Sequence, residues 1–155
     1  MHLFRRRAEE SGIDLSVVLS DAPGSILVDG RRIKQFLVNL LGNALKFTPD
    51  NGTIVMRANL NDEGRLVLSV RDSGIGMAEK DIERALQPFS QLDADISLAQ
   101  EGVGLGLSIA SRLTALHDGE LRITSKPGVG TLAQVLLPAS RIVKEQDPLP
   151  SQSGA

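Results

Sequence analysis

Two asparagine amides and a lysine ammonium share one face of a segment that is predicted to be helical. Asn39, Asn43 and Lys46 are four and three residues apart, so their side chains follow one side of a helix. The other side is apolar, with Ile33, Phe36, Leu37, Leu40, Ala44 and Phe47. Amide oxygens are ligands that Mg²⁺ accepts beside water and phosphate, and a lysine suits phosphate. The segment can therefore bind a metal with a polyphosphate, although a solvated amphipathic helix with incidental asparagines has the same pattern.

A strand-forming run, residues 66–71, leads directly into Asp72, Gly74 and Gly76. Glycine permits backbone angles that are closed to other residues and lets a flat ring approach the chain. The Asp72 carboxylate can accept a hydrogen bond from an exocyclic amine such as that of adenine. The segment predicts a base-binding turn, and the alternative is a turn without a ligand, since Asp-x-Gly is above all a turn signal.

A third glycine-rich segment, residues 102–107, precedes an apolar-periodic stretch that is predicted to be a helix over 108–116. The free amide groups of a first helical turn attract anions, so this junction predicts phosphate contact. It is neither a P-loop nor a dinucleotide fingerprint, because GxxxxGK[ST] is absent and Leu107 replaces the last glycine of GxGxxG. The later glycines in 128–133 predict a turn between two strands.

In this order and spacing, these segments resemble the ATP-binding catalytic domain (HATPase_c) of bacterial sensor histidine kinases, a branch of the GHKL or Bergerat-fold ATPases. Residues 29–48 resemble its N box, 72–76 its G1 box, 88–91 its F box, 102–107 its G2 box, and 125–138 its final hairpin. The resemblance covers residues 12–139, and it implies binding of ATP with Mg²⁺.

The resemblance also implies roles for single residues. Asn43 would be the Mg²⁺ ligand, Asn39 would support the metal or the phosphates, and Lys46 would contact phosphate, which makes these three the catalytic group. Phe47 would lie near adenine or ribose, and Thr131 would assist Asp72 with the adenine amine through water. The nucleotide-binding residues implied in this way are Asn39, Asn43, Lys46, Phe47, Asp72, Gly74, Gly76, Met77, Gly102, Gly104, Leu105, Gly106, Leu107 and Thr131.

The residue at position 39 bears on the reaction. ATP-hydrolysing branches of the superfamily typically carry a glutamate there, whereas an amide such as Asn39 cannot act as a general base, so phosphoryl transfer is expected. The resemblance implies a transferase of a two-component system, with a response regulator downstream. Its acceptor would be a histidine on a separate dimerisation and histidine-phosphotransfer domain of the same kinase. Neither histidine of this chain fits that acceptor: His117 is expected to contact carbonyls at a helix end, and His2 to be an expression remnant or part of a preceding helix.

The expected lid over the nucleotide, residues 92–101, is predicted to be mobile and lacks the basic residue that the family usually carries. No Lys or Arg occurs in residues 85–111, and the lid is acidic, with Asp93, Asp95 and Glu101. Either Lys46 and Mg²⁺ suffice for transfer, or Arg84 or Arg112 moves in. The alternative function is a degenerate kinase that uses the same fold for docking or nucleotide sensing, because a missing cation weakens transition-state stabilisation.

Composition restricts the class of protein. The chain has 155 residues, a net charge of -2 and no cysteine, which predicts one domain without disulfides or thiolate metal sites. That charge gives no field for nucleic acid, and Arg5 to Arg7 are expected on a surface helix or linker. No apolar run has the 18 or more residues of a membrane span, so no membrane contact is expected from this segment. We expect a cytoplasmic domain, with any anchor outside this sequence.

Local patterns predict an α+β fold, a two-layer α/β sandwich. A mixed, mostly antiparallel sheet of about five strands would carry three helices on one face and a mobile ATP lid. The predicted strands are 13–20, 26–28, 53–60, 65–71, 120–125 and 131–137, and the predicted helices are 29–48 with Asp29 as N-cap, 78–86 and 108–116. Residues 12–140 are expected to be the domain, 1–11 a linker or the end of a preceding helix, and 141–155 a disordered tail.

Overall fold

A mixed five-stranded sheet with helices packed against one of its faces makes up the computed structural model. It describes residues 2–21, 24–87 and 103–143, with only the backbone at 103–106. The strands are β1 (Asp14–Leu19), β2 (Ser25–Ile26), β3 (Thr53–Leu60), β4 (Leu66–Asp72), β5 (Glu120–Lys126), β6 (Gly130–Leu137) and β7 (Ile142–Val143). The helices are α1 (His2–Glu10), α2 (Gly30–Phe47), α3 (Glu79–Leu86) and α4 (Val103–Ala115). The predicted α+β sandwich is confirmed.

The main sheet has the strand order β1-β3-β4-β6-β5. Only β1 and β3 run parallel, and the other pairs are antiparallel. Asp72 at the end of β4 stands opposite Thr131 at the start of β6. Because side chains alternate across a strand, every second residue of β4 and β6 faces the helices. The pairing therefore brings Asp72 and Thr131 together at the same end of the two strands and on the same face of the sheet.

Helix α2 forms where the sequence combines an N-cap with an apolar stripe. The Oδ1 atom of Asp29 accepts hydrogen bonds from the amides of Arg31 at 3.0 Å and Arg32 at 3.3 Å, which satisfies two of the free donors of the first turn. The Arg32 and Arg31 amides, together with the Arg32 guanidinium, hold the pKa of Asp29 below its ordinary value. The predicted N-cap is confirmed. The buried side chains of α2 are Phe36, Leu40, Leu41, Ala44 and Leu45.

The core lies between α2, α4 and the covered face of the sheet. Its fully buried large side chains come from α2 and from the strands β3 and β6: Phe36, Leu41, Ile54, Val135 and Leu137. Burial of a side chain of this size contributes about 1.5 to 3 kcal/mol. This burial holds α2 against β3 and β6, the two strands that pair with β4 and flank Asp72 at its end.

Residues 141–143 belong to the fold, which corrects the prediction of a disordered tail from Arg141. Strand β7 pairs with β2 in a separate two-stranded sheet, and the Leu27 amide donates to the Arg141 carbonyl at 2.6 Å. Two residues of β-structure that pair over such a distance in sequence leave no local periodicity. The rest of the predicted tail lies outside the described residues.

Helix α4 begins at Val103, five residues before its predicted start at 108. Glycine lowers helix propensity by about 1 kcal/mol per residue, which argued for a loop at Gly104 and Gly106, but packing against neighbouring elements overrides such a preference. Residues 2–10 are also helical, which was one of the two alternatives expected for 1–11, and the described residues hold four α-helices. None of the helices in the described ranges is long and apolar enough to cross a membrane.

Candidate nucleotide-binding site

A cavity of about 380 Å³ opens where α2, α3 and α4 meet the ends of β4 and β6. Seven of the predicted site residues line it: Asn43, Phe47, Asp72, Gly76, Met77, Leu107 and Thr131. The other lining residues are Leu40, Ala44, Val70, Ile75, Ala78, Asp81, Ala85, Pro127 and Ala133. The walls are mostly apolar, and the charged groups among the lining residues are the carboxylates of Asp72 and Asp81. Such a cavity suits a flat ring that carries hydrogen-bond donors.

Asp72 has one carboxylate oxygen tied to the backbone and the other available to a ligand. Its Oδ1 atom accepts hydrogen bonds from the Gly74 amide at 2.8 Å and from the Thr131 amide at 3.2 Å. Its Oδ2 atom has no partner among the described residues. Partial burial raises the pKa of Asp72 above its ordinary value, and the two amide hydrogen bonds oppose that shift. The carboxylate is thus oriented by the chain and incompletely solvated.

The turn that follows Asp72 is anchored on three sides. The Ile75 amide donates to the Phe47 carbonyl at the end of α2 at 3.1 Å, and the Ile75 carbonyl accepts from the Gly128 amide at 2.8 Å. The Met77 amide donates to Ser125 Oγ at 2.8 Å. These contacts fix the turn to the N-box helix and to the last hairpin, so the cavity wall is preorganised.

Glycine at positions 76 and 130 is required by close backbone packing. Both residues have positive φ, at 67° and 130°. A Cβ atom on Gly76 would overlap the Lys126 carbonyl, and one on Gly130 would overlap the Asp72 carbonyl. The sequence interpretation attributed Gly76 to the close approach of a flat ligand ring. The structure shows that the end of β5 also packs closely against this glycine. The predicted contact of Gly76 with nucleotide stays a prediction.

The predicted polar stripe of α2 is only partly in the cavity. Asn43 lines it, while Asn39, one helical turn earlier, is half-buried outside the lining, and Lys46 is exposed. The Lys46 ammonium lies 5.6 Å from the centroid of the Phe47 ring, within the range of a cation–π contact. Gly74 is buried beneath the turn and does not line the cavity.

The residue types present fit a Mg²⁺ ion only where phosphate oxygens also act as its ligands. Within the described ranges no group of three or more His, Cys, Asp or Glu side chains could hold a metal. Mg²⁺ commonly keeps several waters and takes one or two protein oxygens together with substrate phosphates. The Asn43 amide at the cavity edge, with Asn39 on the same helical face, suits that mode of binding.

Several predicted site residues lie wholly or partly outside the described part of the chain. The F box at 88–91, the acidic lid at 92–101 and Gly102 lie outside the described residues. Gly104, Leu105 and Gly106 are in the first turns of α4, where only the backbone is described. Leu107 is buried and lines the cavity.

Asp81 is a functional candidate that the sequence interpretation missed. It lies in the first turn of α3 and lines the cavity together with Ala78 and Ala85. The signal was present, because residues 78, 81 and 85 are three and four apart and share one face of the predicted helix. The two alanines identify that face as the inner side of the helix, and Asp81 is the charged residue between them.

These features define a class of protein before any comparison. It is an α+β domain with a cavity that suits a nucleotide base and that is lined by an aspartate oriented by two backbone amides. The family model for histidine kinase-, DNA gyrase B- and HSP90-like ATPases matches residues 28–141, and the chain belongs to this HATPase_c family. Within it, the chain is an ATP-binding catalytic domain of the sensor histidine kinase type.

Relatives and a solved structure support this assignment. The chain is 41% identical over 141 residues to the non-motile and phage-resistance protein of Caulobacter vibrioides, covering 89% of this chain and 17% of that protein. It is 38% identical over 138 residues to the histidine protein kinase DivJ of the same organism, covering 89% and 23%. The crystal structure of full-length ShkA in complex with AMPPNP superposes with a TM-score of 0.74 at 36% identity, covering 88% and 28%. The chain therefore spans less than a third of each of these proteins.

Proposed function

We propose that this chain binds ATP with Mg²⁺ in the cavity and transfers the γ-phosphate to a histidine on a separate dimerisation and phosphotransfer domain. The observation that carries the proposal is the free Oδ2 atom of Asp72 in an apolar, preorganised cavity. A carboxylate there, held by two amides through its other oxygen, accepts from the exocyclic amine of adenine. The apolar side chains of Met77 and Leu107 would border the ring.

The phosphates would extend from the cavity along the polar face of α2. Asn43 would ligate Mg²⁺, with Asn39 supporting it, and the exposed Lys46 ammonium would contact a phosphate oxygen. Bound Mg²⁺ would neutralise charge on the phosphates during transfer. The charged lining groups, Asp72 and Asp81, are both anionic, which favours this placement of the triphosphate away from the base-binding end.

The proposed partners follow from the relatives being much longer proteins. The chain covers 17% of one and 23% of another, which supports a further domain that holds the acceptor histidine. A response regulator would then take the phosphate from that histidine. Because ATP is a cytoplasmic nucleotide, the proposal also assigns the domain to the cytoplasm.

Nucleotide binding is tested first by calorimetry with AMPPNP, with and without Mg²⁺, against GTP. We expect binding that prefers adenine and depends on Mg²⁺, and a loss of about 1 to 3 kcal/mol in Asp72→Asn, because an amide nitrogen or oxygen then replaces the carboxylate opposite the amine. Asp62→Asn, an exposed position in the β3–β4 turn, is the matched control and should bind as the wild type does. Absence of binding at millimolar nucleotide would overturn the proposal.

Phosphoryl transfer is tested by adding the acceptor domain of the parent kinase with radiolabelled ATP. We expect acid-labile phosphate on a histidine of that domain. Bound nucleotide without any transfer would instead fit the degenerate kinase considered above.

A further inference from the structure

Ser125, which does not line the cavity, makes three hydrogen bonds just behind Thr131. Its Oγ atom accepts from the Met77 amide at 2.8 Å, lies 3.0 Å from the Gly130 carbonyl, and lies 2.7 Å from Thr131 Oγ1. Ser125 and Thr131 are cross-strand partners on the covered face of the sheet. Thr131 itself lines the cavity beside Asp72. The serine therefore touches both the turn after Asp72 and the second polar group of the base-binding end.

The three partners fix the direction of each hydrogen bond. A serine hydroxyl has one proton and two acceptor sites. The Met77 amide can only donate, and the Gly130 carbonyl can only accept, so the serine proton goes to Gly130. If that proton went to Thr131 instead, the carbonyl and hydroxyl oxygens of Gly130 and Ser125 would face each other at 3.0 Å without a proton between them. Thr131 must therefore donate its proton to Ser125.

We infer that Ser125 is a positioning residue that makes Thr131 an acceptor-only group toward the nucleotide. With the threonine proton directed inward, only lone pairs of Thr131 Oγ1 remain for the cavity. Asp72 Oδ2 is also an acceptor. The polar end of the cavity then favours a 6-amino purine, whose amine donates, over a 6-oxo purine, whose O6 cannot. This inference rests on the proposed nucleotide binding, and it adds a residue that selects the base without touching it.

The test compares ADP with inosine diphosphate by calorimetry, because the two differ only at the purine 6-position and the adjacent ring nitrogen. The wild type should prefer ADP. In Ser125→Ala the Thr131 hydroxyl is released and can rotate to donate to O6, so the preference should fall about tenfold, mainly through tighter binding of inosine diphosphate. Thr124→Ala, the neighbouring residue on the exposed face of β5, is the matched control and should keep the wild-type preference.

A double-mutant cycle separates this role from simple support of the turn. In Thr131→Val the hydroxyl that Ser125 directs is gone, so adding Ser125→Ala should leave the remaining preference unchanged. Should Ser125→Ala fail to melt cooperatively, Ser125→Cys replaces it, since a thiol fills similar space with a much weaker hydrogen-bonding group, and it carries the same expectation.

Each result has a distinct meaning. Equal weakening of both nucleotides by Ser125→Ala, or the same change of preference in the Thr131→Val background, would overturn the inference and leave the proposed function intact. A wild type that binds ADP without preference would do the same. A wild type that binds neither nucleotide would overturn both the inference and the proposed function.

Discussion

The imidazole of His117 joins the end of α4 to the start of α2 through the backbone of Asp29. Its Nε2 atom accepts a hydrogen bond from the Asp29 amide at 3.1 Å, and its Nδ1 atom lies 2.9 Å from the Leu113 carbonyl. The first contact requires an unprotonated Nε2, so the proton of the neutral ring is assigned to Nδ1, which donates to Leu113. The expected contact with a helix carbonyl is thus present, and the link to α2 is new. This one ring thus links α2 and α4, two of the three helices that border the cavity.

Replacement of His117 should destabilise the domain. The side chain is 4% exposed, so His117→Ala leaves the Asp29 amide and the Leu113 carbonyl without their partner and opens a cavity. We expect a loss of about 2 to 4 kcal/mol in the free energy of unfolding, measured by urea titration. His2→Ala, at an exposed position of α1, should change it by less than about 0.5 kcal/mol. Equal effects of the two substitutions would argue against a structural link at His117.

Two threonine-to-valine substitutions should have opposite effects. Thr48 Oγ1 is buried without a hydrogen-bond partner among the described residues, whereas Thr114 Oγ1 donates to the Ala110 carbonyl at 2.8 Å. Thr48→Val removes an unpaired polar group and should raise the free energy of unfolding by about 1 kcal/mol. Thr114→Val should lower it by a similar amount. A loss of stability in Thr48→Val would indicate that an ordered water or another group pairs with that hydroxyl.

We expect the ionised Asp72 carboxylate to lower the free energy of unfolding at neutral pH, although the same carboxylate serves nucleotide binding. Burial raises its pKa above the ordinary 3.8, and a carboxyl whose pKa is higher in the folded protein destabilises the fold when it is ionised. That destabilisation is present above the raised pKa and disappears as pH falls through it toward 3.8. Asp72→Asn keeps an acceptor for the Gly74 and Thr131 amides, so it should be more stable than the wild type at pH 7, with the difference shrinking toward about pH 4. Urea titrations over this pH range would contradict the prediction if the variant were less stable at pH 7.

Nucleotide binding should respond to Mg²⁺ through Asn43. Asn43→Ala removes the amide oxygen at the cavity edge, so it should abolish most of the gain in affinity that Mg²⁺ gives, while affinity for the metal-free nucleotide changes little. Calorimetry with AMPPNP, with and without Mg²⁺, measures both quantities. Gln35→Ala, an exposed amide on the same helix, should retain the Mg²⁺ effect. Equal losses with and without Mg²⁺ would exclude Asn43 as a metal ligand.

Much of the fold follows from local signals in the sequence. The apolar periodicity of α2, the Asp29 N-cap and the β3–β4 hairpin are encoded by residues that lie close together in the sequence. The predicted bounds of these elements agree with the structure to within about two residues. The pairing of β2 with β7 and the early start of α4 could not be predicted, because each depends on contacts between segments that are distant in sequence.

The site divides in the same way. Asn43 and Asp72 could be identified from residue types and spacing, because each combines a polar group with a helix face or a recognisable turn, whereas the resemblance to the family pointed to Phe47. Ser125 could not, since its importance comes from hydrogen bonds to Met77 and Gly130 that exist only after β5 and β6 pair. Asn39 and Lys46 lie outside the cavity lining, because a helical stripe fixes the face of a residue but not its depth.

The bond between Asp72 and Thr131 joins residues 59 positions apart in the chain. During synthesis, the carboxylate therefore leaves the ribosome well before the strand that orients it. At about 5 to 20 residues per second, several seconds separate the two events. A nascent chain that ends before Gly130 would carry the N box, Asp72 and the Gly74 amide, yet lack the Thr131 amide, the second of the two that hold the carboxylate. ATP would consequently bind fully only after the last hairpin has formed, and nucleotide binding would stabilise the fold only at that late stage.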